Sequence, residues 1–571
     1  MPKEIISKLI ESAIKSLEEK GDFEIENISL EHPENMEHGD YSSNIAMVLA
    51  KQAKKNPLEL AQSIADKIEK TEEIEKVEAV APGFINFTLS KEFLASELEK
   101  ISKEGDKYGK NDSLKGKKIM VEFTDPNPFK EFHIGHLYSN IVGESLAKLF
   151  ESAGATVQRV NYQGDVGMHV AKAIWGILQK KEEFDALDSK EIRERVEFMG
   201  QAYAAGATAF EQNEEVKKEI AELNDKIFAA DASVKDVYEK GRTWSLEYFE
   251  EIYSRLGTKF DNYYFESEVG KIGQSLVEEG LKKGIFEKSK GAIIFPGEKY
   301  GFHSRVFINS KGLPTYEAKE LGLAPTKYKD FKYDTSVIVT GSEIVEYFKV
   351  LIAALKEINP EIGEKTQHVA HGMVRIPEGK MSSRTGNVLT GEELLDAVKE
   401  TAVKRMESSD LKDKEDVAEA VSLAAVKHSL LKVSLGKDIV FDIEKSLSVE
   451  GDSGPYLQYT YVRCASIMRE AGEITSSVKY SEFSKEERML LRLLYRFPEV
   501  VIEATGKLSP HIISTYAFDL AQSYNNFYHT NPVLQAEKEE QKQFRLLLTS
   551  SVAQVLGTSM TLLGIRSLER M

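Results

Sequence analysis

Cysteine is almost absent: one residue, Cys464, in a chain of 571. A single thiol excludes a disulfide framework and a cysteine-based zinc knuckle, so no protein-bound zinc is expected and a reducing compartment suits the chain. Long apolar runs are missing too, and no uninterrupted stretch could cross a bilayer, which argues against a membrane partner. Met1-Pro2-Lys3-Glu4-Ile5-Ile6 reads as the start of a charged amphipathic helix rather than a signal peptide. Together these features point to a soluble cytoplasmic protein. Basic residues are in deficit, 75 Lys and Arg against 93 Asp and Glu, a net charge of −18. That balance superficially disfavours a nucleic-acid partner, because neutralising phosphates requires cations. The deficit lies entirely upstream, however, since from Gly451 onward there are 13 basic and 13 acidic residues. In this last region aromatic and amide side chains interleave, at Tyr456, Tyr459, Tyr516 and Tyr524-Asn525-Asn526-Phe527-Tyr528, a composition suited to stacking on splayed bases. Core positions of a helical bundle explain Phe527 and Tyr516 better.

What is present begins with His133-Ile134-Gly135-His136. The apolar, β-rich run Ile119-Met120-Val121-Glu122-Phe123 precedes it, Pro126 and Pro128 break that run, and Leu137 to Phe150 carries apolar residues at helical spacing. The tetrapeptide therefore opens a helix. There the first N–H groups lack intrahelical partners and the dipole favours anions, so a nucleotide phosphate is a natural ligand. Gly135 lets a flat base approach the backbone, and two histidines three apart share a face from which both can hydrogen-bond one phosphate chain. A half-built metal site is the alternative for an isolated match, but neither a cysteine nor a third histidine lies nearby to complete it. Far downstream, Gly379-Lys380-Met381-Ser382-Ser383-Arg384-Thr385-Gly386-Asn387 supplies glycines, small hydroxyls and two cations, a loop able to tighten on departing pyrophosphate. On its own it would read as a solvated basic turn. Paired with the histidines, it reads as part of a device for adenylating a carboxylate.

The length implies three or more domains. Residues 1–113 mix helices with a short sheet, 114–390 alternate strands and helices with a charged helical insertion over about 171–255, 391–450 form a helical connection, and 451–571 are helical. The insertion's charge runs, such as Lys180-Lys181-Glu182-Glu183, read as solvated faces.

At this point the chain resembles the class I aminoacyl-tRNA synthetases, and within them the arginyl-tRNA synthetases. The resemblance runs nearly end to end. His38-Gly39-Asp40-Tyr41-Ser42-Ser43-Asn44-Ile45-Ala46 and Pro82-Gly83-Phe84-Ile85-Asn86-Phe87 look like signatures of the additional N-terminal domain of arginine enzymes. Val121 to Asn127 leads through Lys130 into the histidines, and Asn161-Tyr162-Gln163-Gly164-Asp165-Val166-Gly167 resembles the family's Asn-Tyr-x-Gly-Asp-x-Gly. Gly454-Pro455-Tyr456-Leu457-Gln458-Tyr459 and the terminal Leu563 to Met571 resemble the two ends of the anticodon-binding domain. The implied architecture is multidomain α/β plus all-α: a Rossmann-like parallel-sheet catalytic domain with a helical insertion, an α+β N-terminal domain that binds the tRNA elbow, and an all-helical anticodon-binding domain.

The implied chemistry is ATP-dependent activation of L-arginine, with Mg²⁺ carried by the nucleotide, followed by transfer to the 2′-hydroxyl of the terminal adenosine of arginine tRNA. Arginine enzymes usually require bound tRNA before activation begins. The resemblance assigns His133, His136, Lys130 and Lys380 to catalysis. It assigns Gly135, Gly372, Met373, Val374, Ser382, Ser383 and Arg384 to ATP as well, the 372–374 backbone lying along the adenine. Arginine falls to Asn127, Glu266, Tyr316 and Glu320, and tRNA to Phe84, Asn86, Tyr456, Tyr459 and Met571. Paired carboxylates suit a guanidinium, because rigid donors engage them bidentately and unpaired acids penalise uncharged competitors. Two departures stand out: Glu320 replaces the usual aspartate, and Ser383 replaces the second lysine of Lys-Met-Ser-Lys-Ser, for which Lys130 can compensate. A monomer is expected. The rivals are a synthetase-like tRNA-binding protein without chemistry, disfavoured because both histidines, Lys130 and Lys380 are intact, and a nucleotidylyltransferase, disfavoured by the helical C-terminal region.

Overall fold

A computed structural model describes residues 2–17, 27–377, 390–407, 410–472 and 482–571. Its contacts divide the chain into two compact units: residues 1–108 with 463–497 and 522–555, and residues 109–462 with 498–521 and 556–571. In the first unit, Phe84–Leu89 is the middle strand of an antiparallel sheet between Tyr41–Ser43 and Ile74–Val80. Asp40, 1% exposed, receives the Leu89 N–H at 2.8 Å and the guanidinium groups of Arg488 and Arg492 at 3.1 Å. A buried carboxylate needs such partners, and here they fasten the sheet to a C-terminal helix.

The second unit is built on five parallel strands: β1 (Lys118–Glu122), β2 (Thr156–Gln163), β3 (Asn262–Phe265), β4 (Thr335–Gly341) and β5 (Thr366–His371), in the order β5–β4–β1–β2–β3. Val121 pairs with Val337 on one side and Arg159 on the other, and Met120, Val160, Tyr264 and Ile338 contribute to the core. These strands are apolar because helices cover both faces of a parallel sheet. The strand order reverses between β1 and β4, and in open parallel sheets ligands bind at the carboxyl ends beside such a reversal. Helix α1 (Ile134–Ser152) starts there. It is buried on almost every side, and a Cβ on its Gly143 would fall on the Phe123 ring, so glycine lets the helix lie directly against the strand end.

Between β2 and β3 stands the helical insertion: Met168–Gln179, Lys181–Ala186, Ile192–Gln212, Glu214–Phe228 and Ala232–Leu256. Helix α2 (Glu266–Lys282) follows β3, and α3 (Tyr316–Phe331) precedes β4. Further on, α4 (Lys414–Leu431) buries Lys427, whose ammonium donates to Leu256 O at 2.7 Å and Gly564 O at 2.6 Å. One cation thus caps the ends of two helices, while burial draws its pKa down to about 8. Lys427→Met strands both carbonyls without a donor and is expected to cost about 2–3 kcal/mol, read as a lower urea midpoint. An unchanged midpoint would deny the lysine this fastening role. Among the described residues no helix is long and apolar enough to cross a membrane.

Candidate active site

Thr124, Asp125 and Phe129, between β1 and α1, have positive φ of 80°, 47° and 66°. Side-chain substitutes for backbone pairing hold this loop. Ser139 Oγ accepts the Thr124 N–H at 2.9 Å and donates to Val339 O at 2.8 Å, and Asp125 Oδ1 accepts the Tyr162 N–H at 2.8 Å. Strain of order 1–3 kcal/mol per residue persists only where surroundings over-determine it, and it gathers at functional sites.

At the helix tip the two histidines form a reciprocal capping box. His133 is the N-cap, and its Nδ1 accepts the Gly135 N–H at 3.1 Å, while His136 Nδ1 accepts the His133 N–H at 3.3 Å. Since each Nδ1 accepts, each ring carries its proton on Nε2. The rings stack with centroids 3.4 Å apart. Burial, with Lys130 as second cause, lowers the His133 pKa to about 4; burial, then His133 and Lys130, takes that of His136 well below its usual value. Both imidazoles are therefore neutral donors at pH 7, placed where the dipole favours an anion. They are not equally open: His133, although crowded by protein atoms, keeps surface in contact with solvent, whereas His136 lies beneath it against Phe132, 8% exposed. Stacking within the cap covers the second ring.

Lys130, half-buried over the Tyr203 ring at 4.8 Å, is close enough to depress the pKa of both histidines. Lys380, Ser382, Ser383 and Arg384 lie outside the described residues. Just beyond them, Thr390 makes a β-bridge to His133, the Gly391 N–H donates to Phe132 O at 2.7 Å, and Thr390 with Glu393 caps the next helix. The chain leaving the second motif thus returns to the first.

The expected arginine ligands are drawn together. Gly164 follows β2, and a Cβ there would collide with Asn127 Oδ1 and stand 3.3 Å from Glu266 Oε1. Tyr316 Oη lies 4.0 Å from the corresponding point on Gly167. Glu266 and Glu320 are 5% and 8% exposed, while Tyr316 is exposed. Burial raises the Glu266 pKa to about 7, even with Lys319 Nζ donating to its Oε2 at 2.5 Å. Burial also raises that of Glu320 well above the carboxylate range, reinforced by Glu122 and opposed by Lys327. Asp165, fully buried, accepts from Tyr238 Oη at 2.9 Å, from Ser267 N and Oγ at 2.9 and 2.7 Å, and meets Arg242 Nε at 3.1 Å. It joins the insertion to the residue after Glu266. Gly164→Ala should push Asn127 aside and raise the arginine KM by about tenfold or more with ATP KM unmoved, measured by steady-state exchange kinetics; an unchanged arginine KM would remove Asn127 from the pocket.

The remaining positions singled out from the sequence have these surroundings. Met373 has its N–H on Asp438 Oδ1 at 3.0 Å and its carbonyl on the Ile439 N–H at 2.7 Å, because Val374 and Arg375 pair with Ile439 and Val440. The Met373 N–H and carbonyl are thus both paired within the chain. A Cβ on Gly372 would strike the Lys437 carbonyl, so packing explains that glycine. Asn86 is 6% exposed and accepts from Ser42 Oγ at 2.7 Å, joining two strands, while Phe84 beside it is half-buried. Tyr456 packs on Phe518 at 5.8 Å, while Tyr459 and Met571 line a cavity of about 520 Å³ with Arg405, Met406 and Val449. Phe527 and Tyr516 are core. Sequence reasoning missed Lys319, although it adjoins Glu320, and it missed the Lys327–Glu122 pair, in which a strand acid meets a helix lysine only after folding.

Three family models match: the class I tRNA synthetase (R) catalytic domain over residues 97–443, the DALR anticodon binding domain over 457–571, and the arginyl tRNA synthetase N-terminal domain over 4–89. An arginine–tRNA ligase of Treponema denticola is 32% identical, covering 96% of this chain and 95% of its own length. One from Clostridium perfringens is 33% identical with 99% of each chain covered. The arginyl-tRNA synthetase structure of Thermus thermophilus superposes with a TM-score of 0.83 at 26% identity, covering 100% of both chains. That of Plasmodium falciparum, at 22% identity and a TM-score of 0.81, shares the fold over 100% of this chain and 99% of its own. With a catalytic-domain match over more than half of its length and relatives above 30% identity along nearly all of it, the chain belongs to the arginyl-tRNA synthetase family of class I.

Proposed function

We propose that this chain activates L-arginine with Mg-ATP and transfers it to the terminal 2′-hydroxyl of arginine tRNA. The observation that carries the reading is a pair of stacked imidazoles capping a dipole-positive helix tip, in the same sheet-and-helix unit as the buried acids Glu266 and Glu320. The arginine carboxylate attacks the α-phosphate in line, and charge grows on the phosphate oxygens as pyrophosphate departs. His133 Nε2–H, and His136 Nε2–H beneath it, donate to those oxygens; as preorganised neutral donors they need neither gain nor lose a proton. Lys130 adds a cation from the same side, and Lys380 and Arg384 close on the leaving group. Magnesium arrives on the nucleotide as part of the substrate.

Asn127 orients the substrate's α-amino or carboxylate group, and Glu266, Tyr316 and Glu320 receive its side chain. Residues 1–113 touch the tRNA elbow through Phe84, residues 114–390 carry the chemistry, and 451–571 take the anticodon, a base entering the cavity of Tyr459 and Met571. The working form is a monomer. Arginine-dependent exchange of pyrophosphate into ATP, with and without arginine tRNA, tests the reading. Exchange with arginine alone among the amino acids supports it; exchange driven by another amino acid, or by none, overturns it.

A further inference from the structure

The acids around the candidate arginine pocket differ in one respect. Glu122 has Lys327 Nζ at 2.5 Å, both side chains 2% exposed, and Glu266 has Lys319 Nζ at 2.5 Å, with exposures of 6% and 4%. Glu320, between the two lysines in α3, has Lys327 only as a more general electrostatic neighbour. Lys319 uses Glu266 Oε2 and leaves Oε1 on the side of Gly164 and Asn127. Its ammonium also rests over Tyr316 at 4.7 Å and Phe228 at 5.5 Å, so it is fixed by a carboxylate and two rings.

A buried carboxyl left without a cation takes up a proton rather than remain charged. A protonated Glu266 would present an O–H donor to a guanidinium that carries only donors, or rotate to satisfy itself elsewhere.

Resting on the arginine-activating reading above, we propose that Lys319 is a positioning residue for substrate recognition: it favours the ionised form of Glu266 and turns Oε1 toward the place the substrate guanidinium takes. Division of labour follows. Glu266 is a lysine-held acid offering one oxygen, and Glu320 is the acid whose charge the substrate itself neutralises.

The test uses the full chain and arginine-dependent pyrophosphate exchange with arginine tRNA present. Lys319→Met is expected to raise the arginine KM by about 30-fold or more while kcat and ATP KM stay within about threefold. Lys319→Arg, which keeps a cation on Glu266, should return the arginine KM to within about threefold of the starting protein. With Glu266→Gln already present, the Met substitution should add less than about threefold, because the group it positions is gone. If Lys319→Met does not fold, Lys319→Gln, with an amide donor and no charge, should raise the arginine KM about tenfold. An unmoved arginine KM in the folded variant, an equal rise in ATP KM, failure of arginine to rescue, or full additivity with Glu266→Gln would each overturn the proposal. Wild-type protein inactive with arginine would overturn the parent reading, and this inference with it, whereas active wild type with an indifferent Lys319 overturns the inference alone.

Discussion

Replacing His133 by Asn and His136 by Gln together should slow arginine-dependent exchange by about 10²–10³-fold or more and leave the helix end formed. Asparagine is among the best N-caps, and Gln at the third helical position can reach back to the N-cap N–H as His136 Nδ1 does now. The variant therefore keeps the capping half of each histidine, while the amide N–H that Asn or Gln still carries no longer stands where the ring Nε2–H does. Losing one donor to a developing oxyanion costs about 2.7–4 kcal/mol, so even a single effective donor predicts a large drop. Because burial and Lys130 keep both rings neutral at pH 7 in the free protein, wild-type kcat/KM for ATP should not follow a histidine titration near neutrality. Exchange within a few-fold of wild type, with circular dichroism and melting unchanged, would remove the imidazoles from catalysis and leave them as caps. His133→Asn alone should account for most of the loss, since His133 is the exposed ring.

The parts of this site that were legible in the sequence are those written in short-range pattern. The run Ile119 to Phe123, the prolines after it and the helical spacing from Leu137 placed His133 at a helix start, and the structure puts it there as the N-cap. Tyr316 and Glu320 fall in one helix, and the insertion is helical throughout its described elements. What stayed hidden depends on contacts distant in sequence. Glu122 meets Lys327 only because β1 and α3 pack against each other, and Lys319 looks like an ordinary surface lysine until α2 brings Glu266 to it. Asn86 and Met373 show the same limit. Motif position marked each of them for a ligand but did not reveal their partners within the chain: Asn86 Oδ1 accepts from Ser42 Oγ, and the Met373 N–H and carbonyl pair with Asp438 and Ile439. The reciprocal use of two histidines as a capping box was equally invisible, because His is not a residue that capping rules lead one to expect at either position.

Glu320→Gln should raise the arginine KM by about 10²-fold with ATP KM nearly unchanged. The substitution keeps size and removes charge, so one oxygen of a charge-assisted bidentate pair becomes an amide donor facing a guanidinium. Proton linkage sharpens the expectation. Without substrate, burial raises the Glu320 pKa well above the usual carboxylate range; Glu122, Asp125 and Glu266 raise it further and Lys327 pulls it down. The substrate guanidinium favours the ionised form, so binding expels a proton from the fraction of the protein still carrying one. Arginine KM in the wild type should therefore fall as pH rises through neutrality and above, until the free protein is already ionised. Glu266, raised to about 7 by burial, contributes to the same slope in the same direction. In Glu320→Gln only that smaller contribution remains, so the KM-against-pH curve should flatten as well as shift upward. Equal slopes in the two proteins would place the titration elsewhere, and equal losses in arginine and ATP KM would point to a damaged fold rather than an absent partner. The side chain standing here is Glu and not the shorter Asp, and Glu320→Asp separates charge from reach: if recovery of arginine KM is complete, charge alone matters, and if it is partial, α3 is set at a distance from the substrate that needs the extra methylene.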